Sequence, residues 1–509
     1  VGRVVAVVGG GISGLGAARV LAGAPPTGGR AGHGESRTGG ARPGGATGDL
    51  EVVVLEAEDR FGGKILSGGF RGRPVDFGPD NFLTRNPSAA ELCDLLGIGD
   101  DLLAPATSSA SVVSRGRLHP MPAGLILGLP PDLLALARSR IVSVRGLARA
   151  AFDLLPVGGP ISPSSLGLAE NRGSCGLPAD DDRPEWSAGS ILRRRLGREV
   201  VDRLVDPLLG GINAGGVDQL SLAVVAPQVA QALAGQTSIT RALGRLAKRT
   251  PAKSLQDPSS RPFFLGLRGG LGRIVDELVA DLQGRGVKLH SGTPVTALRR
   301  SGDRFELDTP GATVVADGVV LAAPAHVVAR LLVELAPVAA AELGSIPHSG
   351  VALVTLAWAD GRVPGLPPGS GFLVPRCEGR VVTGCTFMSA KWPPTAAPGE
   401  VVLRASTGRY GDDRSASMPD EELVGTVLGE LRELLGVTAP PLESLVQRWP
   451  RAFPQYLPGH LGKIERALAG LRQLPGLELA GPCLGGIGIP ACLTSGERAA
   501  VEVLDRLSA

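Results

Sequence analysis

Aromatic residues fill only 3% of these 509 positions, and no block of Lys or Arg interrupts a chain whose net charge is +3. A nucleic-acid surface needs basic clusters and stacking rings, so no nucleic-acid partner is expected. Patterned metal ligands are missing as well. The six cysteines (Cys93, Cys175, Cys377, Cys385, Cys483 and Cys492) form no C-x-x-C pair, and the six histidines are scattered. No metal site is expected, and the thiols read as inert in a reducing compartment. No stretch reaches the roughly 18 apolar residues that span a bilayer. The first apolar run leads into a glycine cluster rather than a small-residue cleavage site, so no signal peptide is read and a cytoplasmic location is expected.

What remains is globular composition, 43% hydrophobic and 20% charged, with 74 Gly and 42 Pro gathered between periodic segments. This length exceeds one core and predicts two or three domains. Val4 to Val8 is a β-branched run that stops at glycines, and helical spacing follows through Ile12, Leu15, Val20 and Leu21. Strand, glycine turn and helix open a βαβ unit. The next strand, Val52 to Leu55, arrives late. Between them Ala24 to Gly48 holds nine glycines and no Leu, Ile, Val or aromatic residue, too little apolar surface to offset ordering, so it reads as a disordered insertion.

Residues 86 to about 155 read as helix-rich, Val157 to Glu185 as a flexible insertion, and Trp186 to Leu209 as helical again. From Gly269 a helix precedes a strand at Val287 to His290, short alternating strands, and the apolar strand Val319 to Ala322. Residues 350 to 450 are strand-rich, and a strand, a glycine turn and a helix from about Pro490 close the chain. The predicted fold is α/β: a discontinuous Rossmann-like nucleotide-binding domain with a β-meander, a mixed-sheet α+β substrate domain and a helical subdomain. The nucleotide-binding domain would comprise residues 1–85, 246–330 and 462–509. Residues 86–245 would form the helical substrate- or membrane-facing part, and 331–461 the substrate domain.

Gly9-Gly10-Gly11-Ile12-Ser13-Gly14 matches G-x-G-x-x-G between strand and helix, the setting that motif requires. Gly9 permits the turn, Gly11 lets a pyrophosphate approach the backbone, and Gly14 lets helix and strand pack closely. Glu56, at the end of the second strand, suits the ribose hydroxyls; removing the insertion restores the usual spacing of about 20 residues from the glycines. Arg60-x-Gly62-Gly63-Lys64 adds a second glycine loop, with the Arg60 guanidinium able to reach anionic oxygens. Near the far end, Gly485-Gly486-Ile487-Gly488-Ile489-Pro490 precedes the last helix. Its N-terminus aimed at a flavin would stabilise the negative charge of reduction.

With these motifs the chain resembles the amine oxidase and phytoene desaturase superfamily of flavoproteins. Asp76-Phe77-Gly78-Pro79-Asp80, Asp206 to Gly215, Gly371 to Pro375, Phe387 to Trp392, Arg448-Trp449-Pro450 and Pro454 to His460 resemble, more narrowly, the porphyrinogen oxidases of haem biosynthesis. The resemblance covers nearly the whole chain outside the two insertions. It implies FAD contacts at Gly9 to Gly14, Glu56, Ala57, Arg60, Gly63, Lys64, Gly78, Pro79, Asp80, Asn81, Val295 through its backbone, Trp449, Ile487, Gly488 and Ile489. Two positions depart from the pattern: Ala110 stands where some relatives pair a propionate with arginine, and Ala491 where many have aspartate.

The implied activity is aromatisation of a porphyrinogen, with FAD accepting the electrons and molecular oxygen yielding hydrogen peroxide. No side-chain acid or base is assigned, because the flavin carries the chemistry. Arg85, Arg115, Arg117 and Lys391 are candidates for substrate propionates. Coproporphyrinogen III is the first-choice substrate, with protoporphyrinogen IX as alternative. Another flavoenzyme of the superfamily, or a flavin-free Rab-escort-like binding protein, is the more distant reading. A peripheral membrane contact through residues 120–150 and a haem-pathway enzyme partner complete the expectations.

Overall fold

The computed structural model describes residues 2–28, 50–155, 159–168, 185–249 and 262–508. Beyond residue 28 the expected insertion at 24–48 lies outside them, as do 169–184 of the second. Residues 159–168 of that second segment are among the described ones. Ile161 and Leu166 are buried, and Ile161 exchanges backbone hydrogen bonds with Gln236 and Gly235.

The apolar run Arg3–Val8 (β1) is the central strand of a five-stranded parallel sheet. Its neighbours are Leu50–Leu55 (β2), Lys288–His290 (β3), Gly318–Leu321 (β4) and Leu477–Leu479 (β5), in the order β3-β2-β1-β4-β5. Both faces are covered, as a parallel sheet demands. Val5, Val7, Val52 and Val54 pack against helices Ile12–Leu21 (α1), Gly272–Gly284 (α2) and Ile489–Ser508 (α3). The alternate residues Ala6, Val8, Val53 and Leu55 meet the antiparallel meander of Ala297–Ser301, Arg304–Asp308 and Thr313–Ala316. Strands from three distant stretches of chain therefore make one sheet.

The second sheet has seven strands, in the order Glu443–Pro454, His348–Ala359, Glu400–Thr407, Val382–Phe387, Gly371–Leu373, Ser111–Ser114 and Arg117–Pro120. It is antiparallel except where Gly371–Leu373 runs parallel to Ser111–Ser114. The last two strands fall inside the stretch expected to be helix-rich. Fully buried Val112 and Val113, with a turn in which Gly116 takes φ +72°, make a hairpin there instead. Helix Asp420–Leu435 buries Leu423, Val427, Leu431 and Leu435 against this sheet. The hairpin Ser67–Phe70 and Arg73–Asp76 inserts Phe70, Val75 and Phe77 against Ala357, Met388, Trp392 and Val402, joining the two halves.

A helical layer around Leu192, Leu204 and Leu222 completes the architecture. Within it Val201–Gly210 adopts the wider π-type turn, and Pro207, which lacks an N–H, sits inside it. No described helix is long and apolar enough to cross a membrane.

Candidate cofactor and active site

Each glycine after β1 has a distinct steric reason. Gly9 takes φ +107°, and a Cβ there would stand 2.8 Å from the Ala322 carbonyl oxygen; a Cβ on Gly14 would stand 1.8 Å from that of Gly9. A Cβ on Gly11 would meet nothing within 4 Å, so its flank is open. Gly11 is also the N-cap of α1 and offers no side-chain cap. The N–H groups of Ile12, Ser13 and Gly14 are thus left for an outside acceptor, at the positive end of the helix.

Around this turn the structure gathers most of the candidate contacts. Gly62 donates its N–H to the Gly10 carbonyl at 2.8 Å, laying the second glycine loop beside the first, with Gly63 alongside Gly11. Lys64 opens onto the same cleft yet is ringed by protein, and that desolvation pushes its ammonium down from the usual lysine value. The buried Glu56 carboxylate accepts from the N–H of Gly10 (2.5 Å) and of Glu58 (2.9 Å), which orients it and leaves further lone pairs for hydroxyl donors. Exposed Ala57 follows it, and Thr293 donates to the Glu56 carbonyl, which brings Val295 to this end of the sheet.

Arg60 is engaged within its own loop. Its guanidinium donates to the carbonyls of Phe61, Gly63 and Ile65 and lies 5.8 Å from the centre of the Trp449 ring. It therefore braces its own loop. Trp449 in turn spends its indole N–H on the Phe77 carbonyl, at 2.7 Å, so only its ring face is left for a cofactor. Gly78 is pressed against Lys64, since a Cβ there would fall 2.0 Å from the Lys64 carbonyl oxygen. Pro79, Asp80 and Asn81 continue that border.

The C-terminal loop is delivered by helix packing. A Cβ on Gly496 of α3 would sit 1.8 Å from Ser13 O, and one on Gly16 of α1 2.6 Å from Leu493, so the two helices touch through their glycines. Ile487 and Gly488 lead into Ile489, the first residue of α3. Two side chains that sequence reasoning did not assign clamp this loop. The Tyr456 hydroxyl donates to Pro482 O (2.5 Å), and His460 Nε2 to Cys483 O (2.8 Å). His326 and His348 were also missed; they stack edge to face at 4.9 Å, and burial together with the facing His326 pushes His348 down to about 4.

The four basic candidates do not converge. The Lys391 ammonium is taken by Asp80 Oδ2 at 2.8 Å, because the turn Met388–Lys391 after strand Val382–Phe387 points it at the 78–81 segment. Arg115 pairs with Glu199 (3.1 Å) and donates to Arg140 O. Arg117 is exposed on the edge strand Arg117–Pro120. Arg85 is exposed and has no polar partner among the described residues.

An open-flanked glycine, an uncapped helix, an ammonium in the cleft and an acceptor at a strand end together suit a dinucleotide diphosphate and its ribose. These features define a dinucleotide-binding protein built on two sheets. The family model described as flavin containing amine oxidoreductase matches residues 12–504, and the chain belongs to that family. The chain is 33% identical to the coproporphyrinogen III oxidase of Bacillus subtilis (strain 168) over 90% of its length and 92% of the relative's. It is 29% identical to the chloroplastic protoporphyrinogen oxidase 1 of Arabidopsis thaliana, covering 99% of this chain and 88% of that one. A solved structure from Exiguobacterium sp. 255-15, provisionally named a protoporphyrinogen oxidase, superposes with a TM-score of 0.79 at 29% identity, covering 100% and 99% of the two chains. Cyclohexylamine oxidase from Brevibacterium oxydans shares the fold, with a TM-score of 0.66 at 17% identity over 100% of both chains. The protein is an FAD-dependent oxidoreductase.

Proposed function

We propose that this chain oxidises coproporphyrinogen III to coproporphyrin III. The observation that carries this reading is near-full-length identity to relatives named coproporphyrinogen III oxidase, at 33% for Bacillus subtilis and 32% for Propionibacterium freudenreichii. Aromatising the macrocycle removes six electrons and six protons. Three molecules of oxygen accept them and leave as three of hydrogen peroxide. FAD supplies the two-electron acceptor for each step when bound.

The chain's own residues bind and orient. Ile12 to Gly14 and Lys64 hold the diphosphate, Glu56 takes the ribose, and Val295 contributes its backbone. The 78–81 segment, the face of Trp449 and the Ile487–Ile489 helix start border the ring system. The N-terminus of α3 stabilises negative charge that appears on reduction. Arg85, just beyond the 78–81 segment, is the basic residue we retain for a propionate; Arg115 and Lys391 have anionic partners already.

Protoporphyrinogen IX is the second reading, favoured by the Arabidopsis relative's name. Anaerobic mixing with each porphyrinogen in turn, followed by loss of the flavin's visible absorption, tests both. Faster bleaching by coproporphyrinogen III is expected; no bleaching by either macrocycle would overturn the assignment. A cytoplasmic location belongs to the same proposal, as does a haem-pathway enzyme as partner. So does a peripheral membrane contact, supported by exposed Leu134, Val144, Phe152 and Leu155 beside exposed Arg138 and Arg145.

A further inference from the structure

Three consecutive carbonyl oxygens at the end of the 67–76 hairpin are captured by side chains from the seven-stranded sheet. Arg404 donates through Nη1 to Asp76 O (2.6 Å) and Gly78 O (3.1 Å), and Trp449 takes Phe77 O between them. A peptide unit is planar, so fixing Phe77 O also fixes the Gly78 N–H in the opposite direction. The N–H groups of Gly78, Asp80 and Asn81 have no hydrogen-bond partner among the described residues. The segment thus turns its acceptors toward one half of the molecule and keeps donors in reserve.

The same segment carries a buried charge cluster. Asp80 is 8% exposed and Arg404 5%. Asp80 Oδ2 accepts from Lys391 Nζ and Trp392 Nε1, each at 2.8 Å; Oδ1 accepts from Asn81 Nδ2 at 2.9 Å and lies 3.2 Å from Arg404 Nη2. Burial alone would push the Asp80 carboxyl up, but the Lys391 and Arg404 cations outweigh it and hold it well below the usual carboxylate range. The Asp76 carboxyl feels both Asp80 and Arg404, so the two cations face two carboxyls. Taking such a cluster out of water is costly, and apolar packing would join the two halves at less expense.

We propose that Arg404, Asp80 and Lys391 form a positioning unit that orients the 78–81 segment toward the flavin and, through the Lys391 cation, raises the flavin's reduction potential. This rests on the reading that the segment borders the ring system. A fixed positive charge favours the reduced flavin, on which negative charge develops. None of the three touches the reacting atoms; they act through the segment and through their field.

The test is the midpoint potential of purified holoenzyme, from anaerobic dye-equilibrated titration, with FAD occupancy read from released flavin. Lys391→Met removes a cation while keeping chain length. It should shift the two-electron equilibrium about tenfold toward oxidised flavin, about 30 mV more negative. Asp80→Asn removes the anion and should shift it the opposite way. Lys391→Arg should return the wild-type value. Shifts of the same sign, or of less than about twofold in both variants, would overturn the proposal. Should Asp80→Asn fail to fold, Lys391→Met against Lys391→Arg decides alone, and equal potentials sink it. A wild-type protein without bound flavin would instead remove the cofactor reading itself, so the two failures are distinguishable.

Discussion

Gly11 and Gly14 lie three positions apart, yet substitution should injure different things. A Cβ on Gly11 enters space that no protein atom occupies, whereas one on Gly14 strikes the Gly9 carbonyl. Gly11→Ala should leave apoprotein melting within a degree or two while weakening FAD binding at least tenfold. Gly14→Ala should lower apoprotein stability by about 1–3 kcal/mol, as overpacking does. Thermal melts of flavin-stripped protein alongside FAD titrations separate the two. Asp76 offers a pH signature at the same scale. Burial raises its carboxyl to about 6, although Ser67 Oγ and the Leu271 N–H donate to it. A raised carboxyl binds its proton more tightly in the fold, so its contribution is fully present below the ordinary aspartate value and is lost as pH rises through about 6. Asp76→Asn should therefore flatten the fall in melting temperature between about pH 4 and 6; an unchanged profile would assign that fall elsewhere.

Among the elements, the glycine loop ahead of α3 depends on a partner that lies earlier in the chain. Tyr456→Phe removes the bond to Pro482 O from a buried position. A loss of about 1 kcal/mol in stability is expected from one such bond, with faster FAD dissociation because the loop is freed. Stopped-flow release of flavin would show it, and an unaltered off-rate would make the hydroxyl a packing feature only. The elements most readable in the sequence were those whose signal is local. The opening strand and helix, the meander and the terminal glycine helix each carry their periodicity and breakers within a few dozen residues. The hairpin at 111–120 is hidden because its apolar signal is only Val112, Val113 and Leu118, and its parallel partner at Phe372 lies hundreds of residues on. Arg404 was invisible for a similar reason. It is one basic residue in an alternating strand, and nothing near it reveals the carbonyls it meets 326 and 328 residues away. Lys391 stands out in the sequence for its charge, but nothing near it pairs it with Asp80, 311 residues away.

Taken whole, the molecule has no cofactor half that is continuous in the chain. β5 forms an edge of the five-stranded sheet and α3 covers β1 through Leu493 and Val503, so the final residues complete a core begun by the first. A chain ended after residue 461 should lack FAD binding and expose the apolar faces of β1 and β4, giving aggregated or dye-binding material. Recovery of a soluble yellow protein from that truncation would show that the N-terminal strand and second glycine loop suffice.

The position of β1 at the middle of its sheet has a consequence for biogenesis. It leaves the ribosome before its sheet partners, yet β4, which pairs with it along Val5 to Val8, begins at residue 318, and an edge strand follows at 477. At about 5–20 residues per second, the nascent chain must carry one flank of this apolar strand unsatisfied for on the order of tens of seconds. Such an edge recruits neighbouring strands from other chains, so holdase chaperones should raise the yield of native enzyme and slowed translation should lower it.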